Sequence, residues 1–71
     1  MIERKWFIDK NGGLSDLHQF NAFFTAYVKE KDKIVVAADL EDGNEWIFGT
    51  FDTKQEAIDY IKEIHTFLIA E

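Results

Sequence analysis

His18-Gln19-Phe20-Asn21-Ala22-Phe23-Phe24-Thr25-Ala26-Tyr27-Val28-Lys29-Glu30 is the stretch whose conformation sets the fold, because it carries two incompatible patterns at once. Leu17, Phe20, Phe24 and Val28 recur at helical spacing, and Asp16 with Gln19 has the form of a capping box, so a helix over residues 16–29 is one reading. The composition of residues 23–28 opposes it. Phenylalanine, tyrosine, threonine and valine lose side-chain freedom against a preceding helical turn and suit a pleated surface. Propensity therefore favours a strand over residues 21–30, and the middle of the chain becomes a run of strands.

Working outward, Lys31 and Asp32 turn the chain into a strand over residues 33–40, built on Ile34-Val35-Val36-Ala37-Ala38. Asp42-Gly43 turns it again, because glycine reaches positive φ without steric penalty, and Glu45-Trp46-Ile47-Phe48-Gly49-Thr50-Phe51 returns as a strand over residues 45–51. Gly49 stands apart from the turn glycines, inside an apolar run. Upstream, residues 3–8 read as a first strand, Asn11-Gly12-Gly13 as a turn and residues 14–17 as a short extended segment. Downstream, Asp52 and Thr53 are N-cap types, and Thr53 with Glu56 three positions on is a capping box that starts a helix over residues 53–69. Its expected apolar stripe is Ala57, Ile58, Ile61, Ile64, His65 and Leu68, opposite Gln55, Asp59, Lys62, Glu63 and Thr66. The expected fold is one α+β domain over residues 1–71: a four- to five-stranded antiparallel meander sheet with one C-terminal helix packed on one face.

Seventy-one residues, 46% hydrophobic and 15% aromatic, leave no room for a second core. With no cysteine, disulfides do not help to hold the domain, and the longest apolar runs are too short to span a bilayer. Met1-Ile2-Glu3-Arg4-Lys5 does not lead into a signal-peptide core, so a cytoplasmic location is expected. Both faces of the sheet are greasy. If the helix covers Phe24, Ala26, Val28, Ile34, Val36 and Ala38, alternation puts Phe23, Tyr27, Val35, Ala37 and one of the pairs Trp46/Phe48 or Ile47/Phe51 on the other side. Two readings cover that side: either residues 3–8 and 14–20 fold across it, or a second copy does. In the second reading the chain is a homodimer whose contact face holds Phe23, Tyr27, Val35, Trp46 and Phe48.

The residue inventory points away from catalysis. Ser15 is the only serine, no nucleophile elbow surrounds it or any of the four threonines, and no enzyme, cofactor or metal role is expected. His18 near Asp16 reads as a surface or capping histidine, and His65 as a partly buried one at the core edge. Asp39, Glu41, Asp42 and Glu45 lack the glycine and glutamate spacing of a calcium loop and read as a solvated hairpin tip. Of the net charge of −6, residues 39–63 carry all of it, with eight acids against Lys54 and Lys62, while residues 1–38 are slightly basic. A candidate acidic surface of Asp39, Glu41, Asp42, Glu45, Asp52, Glu56 and Asp59 disfavours nucleic acid and anionic membranes and suits a basic protein partner.

The segment Trp46-Ile47-Phe48-Gly49-Thr50-Phe51-Asp52-Thr53-Lys54-Gln55-Glu56-Ala57 resembles the strand-to-helix junction of ethylene-response-factor DNA-binding domains and of integrase arm-binding domains, which implies a three-stranded sheet with a C-terminal helix. Those families contact DNA through arginines and tryptophans on the sheet, whereas this chain offers Arg4 alone and, in the meander, Trp46 alone. A wider pattern of Trp6, Gly13-Leu14-Ser15-Asp16-Leu17, Asp42-Gly43 and residues 51–57 is similar to short uncharacterised proteins of bacteria, prophages and phages, and implies that setting without an activity. The leading expectation is a small non-enzymatic interaction module that self-associates through an apolar sheet face. An acidic phage-type inhibitor, mimicking nucleic acid toward a basic protein, is the alternative, and sheet-mediated DNA binding is third.

Overall fold

The structure, a computed structural model, describes residues 5–70, so the start of the strand expected at residues 3–8 lies outside the described residues. Five strands and one helix follow in order: β1 (Trp6–Ile8), β2 (Leu14–Asp16), β3 (Phe20–Val28), β4 (Lys33–Leu40), β5 (Glu45–Phe51) and α1 (Lys54–Ile69). All strand pairs are antiparallel, but they form two sheets rather than one. β1 and β2 make a hairpin, and β3, β4 and β5 a three-stranded meander in that order.

The stretch with two patterns resolves into both, one after the other. Asp16 caps a single 3-10 turn, Leu17–Gln19, its carboxylate accepting from the His18 amide at 3.1 Å. Phe20 then takes extended angles, and the aromatic and β-branched run continues as a nine-residue strand. The helical spacing of Leu17 and Phe20 survives only as a shared destination, since both are buried in the core.

The face assignment drawn from alternation is corrected by the register. Val28 pairs with Lys33 across the four residues 29–32, and Asp32 takes up a left-handed φ of 52° within that turn. A connection of even length pairs even-numbered residues with odd-numbered ones, and directly paired residues share a face. Phe23 therefore lies beside Ala38, Thr25 beside Val36 and Tyr27 beside Ile34, while Phe24 and Ala26 lie beside Ala37 and Val35 on the opposite side. The helix packs on the side of the first set, over Val36 and Ala38. Its core joins Val36, Ala38, Phe48 and Phe51 of the sheet to Leu17, Phe20, Ala57, Tyr60 and Ile64, with Phe7, Phe23, Ile34, Leu40, Ile61 and Leu68 packed around them.

In α1 the cap is as expected and the stripe is rotated. Thr53 Oγ1 accepts from the Glu56 amide at 3.2 Å and donates to its carboxylate at 3.0 Å. Tyr60 turns inward beside Ala57 and Ile64, Ile58 is half-buried, and His65 is exposed rather than tucked at the core edge. Tyr60 belongs inside because the space over Phe51 and Phe7 takes a ring, with centroids 5.2 and 6.1 Å away.

The β1–β2 hairpin lies on the same side of the meander as α1. Phe7 points inward, its ring 6.1 Å from Phe48 and 5.4 Å from Phe67. Asp9, a carboxylate only 5% exposed, ties the hairpin loop to β5: it accepts from the amides of Asn11 and Gly13 and from Trp46 Nε1, each at 2.9 Å. Beside it, the Lys10 amide donates to the Phe48 carbonyl at 2.9 Å and Asn11 Nδ2 to the Ile47 carbonyl at 3.1 Å. Two successive carbonyls reach one neighbour because β5 is irregular here, with Val36 opposite Gly49 and Ala37 opposite Ile47, leaving Phe48 as the extra residue. At Gly49 an added Cβ would stand 3.2 Å from Lys10 Cβ and from the Phe51 ring, a tight fit that would require those neighbours to shift slightly.

Asp9→Ala leaves two loop amides and an indole N–H without their acceptor in a part-buried site. We expect a loss of about 3 kcal/mol in urea unfolding, with altered Trp46 fluorescence in the folded baseline. Thr53→Ala, which removes only the cap, is expected to cost about 1 kcal/mol in the same assay.

Candidate interaction surface

With hairpin and helix on one side, the opposite side of the meander is covered by nothing among the described residues. Register assigns to it Ala22, Phe24, Ala26 and Val28 from β3, Lys33, Val35, Ala37 and Asp39 from β4, and Glu45, Ile47 and Thr50 from β5. Its middle is apolar across all three strands. Val35 and Ala37, on the central strand, are already buried by their neighbours, Phe24, Ala26 and Val28 are half-buried, and Ile47 remains 39% exposed. Charge appears only at its ends, Lys33 at one and Asp39 with Glu45 at the other.

The five residues expected to form a contact face are thus divided. Val35 alone lies on the uncovered side. Phe23 is half-buried toward the helix, its ring 5.6 Å from Phe20 and 5.4 Å from Phe48, and Phe48 is fully enclosed. Trp46, paired with Ala38, faces the hairpin, where its indole holds Asp9. Tyr27 also lies on the helix side, at the far end of β3, 61% exposed, with its hydroxyl donating to Asp32 Oδ1 at 2.6 Å. That bond raises the phenol pKa above its ordinary value.

The seven acids are divided as well. Asp39, Glu41, Asp42 and Glu45 cluster at the β4–β5 turn, while Asp52, Glu56 and Asp59 lie beyond the other end of β5, about 20 Å away by strand rise. The second group is engaged locally: Asp52 is bonded to Lys33 Nζ, Glu56 takes the Thr53 hydroxyl, and Asp59 accepts from Gln55 at 2.9 Å. Among the described residues no three histidine or carboxylate side chains converge as a metal site. No helix there is long and apolar enough to cross a membrane.

Sequence reasoning missed a smaller patch. Trp6, Ile8 and Leu14 share the outer side of the hairpin and are 51%, 69% and 61% exposed. The alternation of Trp6 and Ile8 about the inward Phe7 is the signal that marks it. Beneath the hairpin loop, Lys10 Nζ stands 5.3 Å above the Phe51 ring and 5.8 Å from that of Tyr60, in a groove edged by Glu56, Asp59 and Glu63. A cation–π contact thus places the chain's own lysine along one wall of that groove.

Comparison with protein-family models, curated proteins and solved structures finds no match for this chain.

Tyr60 offers a titration test of the core. Its hydroxyl is enclosed without a hydrogen-bond partner, the nearby Lys10 amide being committed to Phe48, and burial, followed by the charge of Asp9, pushes its pKa upward. The unfolded chain releases this proton near the ordinary value of 10.0 and the fold releases it later, so the associated stability is complete below pH 10 and is lost as pH rises through the raised pKa. Tyr60→Phe is expected to leave stability at pH 7 unchanged or raised by up to about 1 kcal/mol, and to lessen its decline above pH 10, read by urea unfolding across pH.

Proposed function

We propose that this chain is a small non-enzymatic interaction module that self-associates through the uncovered side of its meander, with Phe24, Ala26, Val28, Val35, Ala37 and Ile47 at the contact. One observation carries the reading: hairpin and helix both pack on the same side of β3–β5, so the described chain spends its covering elements on one face and leaves the other bare. A solvated antiparallel face alternates with polar residues, and the centre of this one does not. A flat face that is apolar in the middle and charged at its ends is self-complementary in the way a two-fold contact requires.

The acidic residues support a basic partner less well, because they sit at two ends of β5 and four of the seven, Asp42, Asp52, Glu56 and Asp59, are engaged within the chain. Direct DNA binding through the meander finds even less support, since Lys33 is the one cation that register places on the bare face.

Light scattering across a concentration series tests the proposal. The chain is expected to rise from protomer mass toward a multiple of it at micromolar concentrations. Ile47→Lys and Phe24→Glu are each expected to weaken that association by about tenfold or more, with the helical circular-dichroism signal retained. Ile8→Glu, on the hairpin patch, is expected to leave it intact. A chain that stays at protomer mass to several hundred micromolar, or one dissociated by Ile8→Glu and untouched by Ile47→Lys, would show the assignment to be wrong.

A further inference from the structure

The two edges of the meander are treated differently. β5 forms one edge, and the fold blunts it: the strand is bulged at Phe48, carries Gly49, and has its Ile47 and Phe48 carbonyls taken by the hairpin loop. β3 forms the other, and among the described residues β4 is its only strand partner, the further backbone bonds being at its two ends, from the Phe20 amide to the Leu17 carbonyl and from the Lys31 amide to the Val28 carbonyl. Free edges present unpaired amides and carbonyls, and monomeric proteins protect them with lysine, proline, bulges, short length or a covering segment. Residues 20–28 read Phe-Asn-Ala-Phe-Phe-Thr-Ala-Tyr-Val, a nine-residue strand without a charge, a proline or a glycine. Its one irregularity falls between Phe20 and Ala22, so residues 22–28 keep a regular ladder more than 20 Å long.

We infer that the free edge of β3 is a strand-pairing site, and that its occupant is β3 of a second copy, joined antiparallel so that two meanders become one six-stranded sheet. The charge distribution selects the occupant. Two copies of a chain with net charge −6 repel, and residues 39–63 hold all of that charge, whereas the β3 edge is the long uncharged border of the molecule. Antiparallel pairing of β3 with itself is two-fold symmetric and brings the turn at residues 29–32 of one copy beside residues 18–20 of the other, where no acid lies. It also covers what a monomer leaves exposed at this edge, Tyr27 and the half-buried Phe23, Phe24 and Ala26. The contact is separate from the face contact proposed above, and either can fail without the other.

Amide hydrogen exchange, resolved by residue with NMR, tests it directly, carried out on Ile47→Lys so that the face contact is weakened. Alternate amides within residues 22–28, those turned away from β4, are expected to slow by about tenfold or more between dilute and concentrated samples, while amides of β5 do not change. Tyr27→Lys, and Thr25→Lys as a second variant, place a lysine on the edge without touching the bare face. Each is expected to abolish the concentration dependence while leaving exchange in dilute samples unaltered. Edge amides whose exchange is the same at every concentration would overturn the inference, and so would protection that persists in both lysine variants. Association of the unsubstituted chain by light scattering alongside unchanged edge amides would leave the face contact standing and remove this one.

Discussion

The carboxylate of Asp9 fixes where everything else can go. It is buried, and a buried carboxylate is tolerable only when its oxygens are bonded; here three donors converge on it, two from its own loop and one from the Trp46 indole on β5. Gly13 is part of the same constraint, since an added Cβ would stand 2.8 Å from Asp9 Oδ2 and 3.0 Å from the Trp46 ring. Once the loop is held against β5, the hairpin directs Phe7 between Phe48, Tyr60 and Phe67, and the side of the meander bearing Val36 and Ala38 is filled. Among the described residues no element covers the other side, because hairpin and helix both pack on the first.

Much of this was readable beforehand from local chemistry. Residues 33–40 and 45–51 are strands at the expected limits, and the helix begins at the Thr53 cap, because β-branched runs, Asp42-Gly43 and a Thr-x-x-Glu cap act over a few residues. Antiparallel α+β architecture followed from them. What was not readable is parity. Whether Phe23 or Phe24 meets the helix depends on the number of residues in the turn after Val28, and a one-residue difference exchanges every side chain between faces. Phe23 and Tyr27 therefore leave the expected contact face while Val35 stays, and the β4–β5 register with its bulge at Phe48 removes Trp46 and Phe48. Likewise Asp9 looked like one acid among fourteen, because its partner Trp46 lies 37 residues away and only the folded chain brings them together.

The aromatic content also reads differently with the fold in view. Phe7, Phe20, Phe23, Phe48, Phe51 and Tyr60 make one chain of ring contacts that runs through the core beside Leu17, Val36 and Ile64. Trp46 serves as a hydrogen-bond donor at its rim. Phe24 is left on the bare face and Tyr27 at the bare edge, while Trp6, Ile8 and Leu14 form a second exposed apolar patch on the hairpin. The acids of residues 39–63 lie at the β4–β5 turn and along α1, and only Asp39 and Glu45 reach the bare face, at one end of it, so its centre stays uncharged.

An isotope-filtered NOE experiment on an equimolar mixture of labelled and unlabelled chain addresses both halves of this picture at once. The Ile47 and Val35 methyl groups are expected to show contacts to the partner molecule, and the Phe7 ring to show contacts to Phe48 and Tyr60 within its own chain. Contacts from the Ile47 and Val35 methyls to the hairpin of the same chain would contradict it, because the hairpin would then cover the face that is proposed to receive a second copy.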